Sequence, residues 1–354
     1  MPLTETRRSL FLLASGLLLL VMLAGVLVGP AAISLADLLR ALVQPLWLFG
    51  TGGGADGGTG PAQLSWQSVV IWQVRLPRVL TGAMVGAALA VSGAVLQGLF
   101  RNPLASPSVL GVASGASLGA VLAIFFGLAA TQIWALPLFA FIGALLTLFA
   151  VYGIATRGGH TPVATLLLAG IAAGAFNVAM SSFVLAVALE NWEVGKSIVY
   201  WTMGGLEGRT WDHVLLIAPF LALGLAVAMA YPRDLDALLL GETQAASVGV
   251  DVARTRLVLL LVTALLTAAA VAVAGGIGFI GLVVPHIVRL LTGPHHRLLL
   301  PLSALTGALV LVAADLALRM LFKANDIPLG VITAALGAPF FLFLLLRQRG
   351  LVSL

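Results

Sequence analysis

At 354 residues, 61% of them hydrophobic and only 9% charged, the chain carries too little polar surface to fold as a water-soluble globule, in which about a quarter of residues are charged. Its net charge of +5 does not mark a nucleic-acid binder: no basic stretch is interleaved with aromatics, and Lys and Arg collect in the cytoplasmic loops of membrane proteins anyway. The absence of cysteine excludes disulfides, thiolate metal ligands and cysteine catalysis. Forty glycines within long apolar runs favour close-packed helices over a membrane barrel, whose strands would alternate in segments of roughly ten residues.

The chain therefore reads as an all-α polytopic membrane protein, with residues 1–354 forming one transmembrane domain. Arg7 and Arg8 precede an apolar run over 10–28. That run resembles a signal peptide, but its length and the spans that follow favour an uncleaved first helix with a cytoplasmic N-terminus. Residues 30–74 are expected outside, with 50–63 a flexible Gly-rich periplasmic insertion and Trp66 and Trp72 returning along the membrane interface. Further apolar runs occupy 79–98, 104–128, 133–155, 162–189, 212–231, 255–274, 277–292, 298–318 and 328–346, which makes about ten spans. Alternating them places eleven Lys/Arg inside and seven outside, the expected bias, with both termini cytoplasmic.

Small residues recur every four positions at Gly82/Gly86, Gly111/Gly115/Gly119 and Gly170/Gly174, spacing that lets helix backbones approach closely. A short echo joins Val91-Ser92-Gly93, ten residues before Pro103, to Val273-Ala274-Gly275, ten before Pro285. Five crossings separate the copies, so they would be inverted, as transporter repeats often are; one short match is also compatible with chance. The second copy opens the stretch 275–297, which is too short for a comfortable crossing and reads either as a broken, half-depth helix or as a kinked structural one.

The sequence VGKS at 194–197 imitates the end of a phosphate-binding loop, but Glu190 stands where its first glycine belongs. No other nucleotide motif appears, so ATP hydrolysis is expected of another chain, and this one is not read as an enzyme. No carboxylate is expected deep in a span; the nearest, Asp315, sits toward an outer helix end close to Arg319. This weakens a proton-coupled carrier, for which His286 remains either a relay group or a hydrogen-bonded structural residue. A structural membrane scaffold is a third reading. Residues 236–251 form the largest inside loop, one or two short helices broken at Gly241 and Gly249, and offer a grip for a separate motor. Arg75 and Arg78 outside, with Arg319, are either snorkelling anchors or contacts for a carboxylate-bearing soluble partner.

Taken together, RLPR at 75–78, LQGLFRNPLASP at 96–107, LGVASGA at 110–116, LLLAG at 166–170, WTMGGLEG at 201–208, GETQAASVG at 241–249, GFIGLVVPHIVRLL at 278–291 and DIPLGVITAALGAPFFLFLL at 326–345 resemble the FecCD-like permease subunits of type II ABC importers. The resemblance covers about 64–347. It implies ten helices, a homodimer with the pathway on its axis, two ATP-binding subunits that hold the ATP and Mg, no cofactor in this chain, and a periplasmic substrate-binding protein above. It also implies a bacterial inner membrane and a haem, ferric-siderophore or cobalamin cargo, with WTMGGLEG leaning toward haem. By motif, Arg75, Arg78 and Arg319 match the docking arginines and Asn102 and Leu104 the cytoplasmic gate. Gly241, Glu242, Ala245 and Gly249 match the ATPase-coupling loop. The Gly-rich insertion departs from the pattern.

Overall fold

The computed structural model describes residues 5–29, 31–43, 65–156, 162–322 and 327–349; the insertion at 50–63 lies outside them. The described chain is helical. Seven helices are long and apolar enough to cross a membrane, and three shorter apolar ones complete a set of ten. In order, α1 is Glu5–Leu27 and α2 the short amphipathic Leu35–Val43, followed by α3 (Trp66–Leu99), α4 (Val112–Phe125), α5 (Ala135–Ala155) and α6 (Val163–Ala188). Next come α7 (Trp192–Met203), α8 (Trp211–Ala228) and the inner pair α9 (Pro232–Leu239) and α10 (Glu242–Ser247). The last four are α11 (Val252–Ala274), α12 (Ile280–Thr292), α13 (His296–Leu321) and α14 (Leu329–Arg349).

Two long helices form the centre. The apolar windows of α3 and α11 are 83% and 78% buried, against 17% for α6 on the rim. Burial on that scale needs small side chains, and the glycines supply them. A Cβ at Gly86 would overlap the Gly307 carbonyl of α13, and one at Gly93 the Gly281 carbonyl of α12. Gly115 and Gly119 seat α4 on α5 in the same way. Polar locks join the same helices: Ser92 Oγ lies 2.9 Å from Thr267 Oγ1 of α11, and Gln97 Nε2 donates to the Leu282 carbonyl of α12 (3.0 Å).

Four expectations change. The second span does not begin at 79: the helix runs from Trp66, and its 34 residues reach roughly 50 Å, well past a hydrocarbon core of about 30 Å. Pro77 has no N–H to donate, and the helix accommodates it with a π turn over Val70–Arg75. Trp72 is no interface anchor. Its indole N–H donates to the Ala41 carbonyl (3.1 Å) and its ring stacks on Trp211, tying α2 to α3 and α8; Trp66 does stay exposed. The apolar run at 104–128 is helical only from Val112, because Pro103, Pro107 and Gly111 (φ 74°) hold an irregular turn before it. The residue-level echo also fails, since Gly93 lies inside a helix whereas Gly275 (φ 69°) ends one. What does recur is a long buried helix, an irregular stretch and a short helix: α3 then α4, and α11 then α12.

Of the two readings of 275–297, the structure has the broken helix. Residues 275–279 are not helical, and α12, at 13 residues, spans about 20 Å. Protein covers the freed backbone, as membrane depth requires: Gly205 N–H donates to the Ala274 carbonyl, and Gly330 N–H to that of Gly204. VGKS lies within α7, its glycine packed on Leu189, so it forms no loop.

Candidate functional site

The sequence-selected residues fall at three levels of the bundle. At the outer level Arg78 and Arg319 meet at Asp315, and Arg75 and Arg319 at the end of α1, but none of them as a free surface charge. Helix α1 ends with carbonyls that have no helical partner. Arg75, 4% exposed, donates to three of these terminal and following carbonyls, Val26 (2.8 Å), Leu27 (2.7 Å) and Ala31. Arg319 Nη1 donates to Gly25 (3.1 Å) and Val28 (3.3 Å). Arg78 forks onto both oxygens of Asp315 at 2.7–3.1 Å, while Arg319 Nε stands 3.1 Å from the same carboxylate as an ion pair without hydrogen-bond alignment. The Asp315–Arg319 spacing was legible as i, i+4; the Arg78 contact, 237 residues away in the chain, was not.

Two of the three guanidiniums thus share one buried carboxylate while the third is spent on carbonyls, and the outer end keeps an excess of positive charge. Arg209, which sequence reasoning passed over, adds to it from the turn before α8. Burial and the charge of Arg78 lower its pKa to about 10, so it is protonated at neutral pH. Arg78 and Arg209 line one cavity of about 290 Å³ with Tyr200, Glu207 and Asp315.

At mid-depth a cavity of about 530 Å³ opens between the turn after α3 and the break before α12. Leu104, Ser106, Ser114, Thr267, Phe279 and Phe341 are among its lining residues, and no charged side chain lines it among the described residues. Phe279 holds φ 65°, a left-handed backbone that a bulky residue adopts only when its surroundings force it. Gly337 of α14 makes the room: a Cβ there would overlap the Phe279 side chain. His286 is buried in α12 with no partner on Nδ1 among the described residues.

The inner level begins with the gate motif. Arg101 adopts φ 50°, Asn102 Oδ1 accepts the Leu104 N–H (2.9 Å), and the Asn102 carbonyl accepts the Ala105 N–H (3.1 Å). Asn102 therefore shapes a tight turn, and Leu104 is the residue that turn presents to the cavity. Beside it stands the expected pair of short helices. Gly241 (φ 120°) separates α9 from α10 and Gly249 (φ 90°) ends the pair. Ala245 is fully buried, Glu242 pairs with Arg256 of α11, and Leu240 and Val248 point outward, each more than 70% exposed. Asp236 of α9 reaches back to His295 and His296 at the start of α13. Burial pushes its carboxyl up, but the hydrogen bonds from the His296 ring and backbone N–H outweigh this and hold it below the ordinary carboxylate value.

The sequence profile of the FecCD transport family matches residues 17–347. The chain belongs to the FecCD transport family. Among curated relatives, the cobalamin import system permease protein BtuC of Halobacterium salinarum is 52% identical over 281 residues, covering 79% of this chain and 74% of its own. The Fe(3+) dicitrate transport system permease protein FecD of Escherichia coli is 42% identical over 280 residues, covering 79% and 86%. A solved structure described as an inward-facing conformation of a metal-chelate type ABC transporter matches with a TM-score of 0.81 at 32% identity, over 96% of this chain and 99% of that one. This FecCD chain is thus a multi-pass permease of the ABC importer class, and its three levels fall within the matched region.

Proposed function

We propose that this FecCD permease moves a bulky metal-containing chelate, of the cobalamin or ferric-citrate kind, from a binding protein on its outer face to the cytoplasm. The observation that carries the reading is the mid-depth cavity, uncharged along its lining and set between the gate turn and the broken helix. A wrapped or delocalised ligand needs no fixed counter-charges there. The relatives named above carry cobalamin and ferric-dicitrate names, so the proposal follows those cargoes; haem rests only on the stretch at 201–208. Two copies of the chain would face each other across the path, with two ATP-binding subunits gripping 241–249 through the outward Val248 and the adjoining Leu240. In this reading both termini lie in the cytoplasm of an inner membrane.

In this reading the arginine-rich outer face docks carboxylates of the binding protein, giving steering and register. Arg78, Arg209 and Arg319 make the contacts, and Arg75 supports them from below. Asn102 and Leu104 form the inner gate. A proton-coupled carrier is disfavoured because Asp315, the one buried carboxylate among the described residues, is already held by two arginines.

Uptake into proteoliposomes containing the ATPase and binding protein tests the reading, with cyanocobalamin, ferric citrate and haem supplied separately. ATP-dependent accumulation of one of the first two is expected. Accumulation driven by a proton gradient without ATP overturns it. Docking is tested by Arg78→Gln, which leaves Asp315 paired with Arg319. A several-fold weaker capture of the binding protein at physiological salt is expected, and unchanged capture removes Arg78 from the docking set.

A further inference from the structure

The coupling segment and the gate turn lie on the same inner side, yet well over a hundred residues of chain separate them. Their link in space is His296, the first residue of α13, which is fully buried. Its backbone N–H and its ring Nδ1 both donate to Asp236 Oδ1, at 2.9 and 2.7 Å, so a carboxylate borrowed from α9 caps α13. The opposite edge of the ring, Nε2, has no polar partner among the described residues and lies against Gly98, where a Cβ would overlap it. Leu235 of α9 closes on the same point, 3.2 Å from where that Cβ would stand. Gly98 belongs to the last turn of α3, whose carbonyls hold the gate directly: Arg101 N–H donates to Gly98 (3.3 Å) and Asn102 N–H to Gln97 (3.2 Å).

A displacement of α9 therefore has a continuous path of packed groups, from Asp236 and Leu235 through the imidazole to Gly98 and the turn that presents Leu104. Interiors packed this tightly transmit shifts rather than absorb them. We propose that His296 is the positioning residue through which movement of the coupling helix α9 reaches the gate turn, with Gly98 as its contact on the gate side. The proposal rests on the importer reading above.

The chain has no native cysteine, so Leu104→Cys supplies its single reporter, read on the permease band after labelling proteoliposomes of the whole transporter with its ATPase and binding protein. The rate at which a water-soluble maleimide labels it is read with and without ATP. A response of about fivefold or more is expected with the native His296. It should fall below about twofold with His296→Leu, and likewise with Gly98→Ala, which drives a methyl into Nε2. Combining Gly98→Ala with His296→Asn should restore it, because Asn keeps a donor at the place of Nδ1 and has nothing at the place of Nε2. A purely structural histidine would lower thermal stability without moving the ratio of labelling rates. An equal ATP response with His296→Leu overturns the proposal; so does a double variant no better than Gly98→Ala, a comparison that holds should the leucine variant fail to fold. No ATP response at Leu104→Cys with His296 intact overturns the gate assignment itself, and the relay with it.

Discussion

The two ends of α13 are each organised around a carboxylate, and they are built to opposite purposes. At the outer end Asp315 belongs to the long helix, is buried, and is clasped by guanidiniums that never lose their charge. At the inner end Asp236 belongs to a helix of only eight residues, is about a third exposed, and reaches α13 through hydrogen bonds from one histidine. The first arrangement is a permanent clamp among α1, α3 and α13. The second is a joint, held firmly enough to transmit a push and weakly enough to be remade. A rigid element with a fixed far end and a jointed near end suits a part that is to be moved from one side only.

The sharpest way to break this contrast is Asp315→Ala. It strands Arg78 and Arg319 in a buried site, and loss of one partner from a buried pair costs about 3–5 kcal/mol. Thermal unfolding in detergent should show the variant far less stable than the native chain; a small change would mean that water already screens the cluster. Asp236→Ala should cost less, about 1–2 kcal/mol, the worth of a lost helix cap. The same carboxylate gives a pH signature. Its folded pKa lies below the ordinary value of 3.8, so its contribution is complete above that value and is lost as pH falls through the lower, folded one. The native chain should lose stability over that acid window more steeply than Asp236→Asn, and parallel curves would remove Asp236 from the account. The smallest effect is expected for Glu242→Ala, about 0.5–1 kcal/mol, because Glu242 is half exposed and the buried Arg256 keeps a further interaction. A loss comparable to that of Asp236→Ala would make the second inner helix as much a part of the joint as the first.

Much of this was legible from residue patterns. Apolar runs located ten helices because hydropathy reports what must leave water, and glycines at 241 and 249 marked the breaks of the inner pair because both take left-handed backbone. Where the reading failed, apolarity and backbone shape had parted. Residues 104–111 are apolar yet irregular, and Trp72, aromatic and near a charged stretch, is a core residue because α2 and Trp211 enclose it. The outer arginines illustrate a deeper limit. Their convergence on one level followed from alternating the spans, whereas their partners are carbonyls at the end of α1 and a carboxylate more than two hundred positions away, which no local pattern encodes.

Those partners also bear on assembly. The apolar window of α1 is only 11% buried, and its end is fastened by Arg75 and by Arg319, the latter 294 residues further along the chain. A ribosome delivering this polypeptide from its amino end therefore releases α1 into lipid long before its second fastening has been synthesised. Held at first by Arg75 alone, α1 is fully secured only when α13 arrives, and until then it is a tethered guest of the bundle.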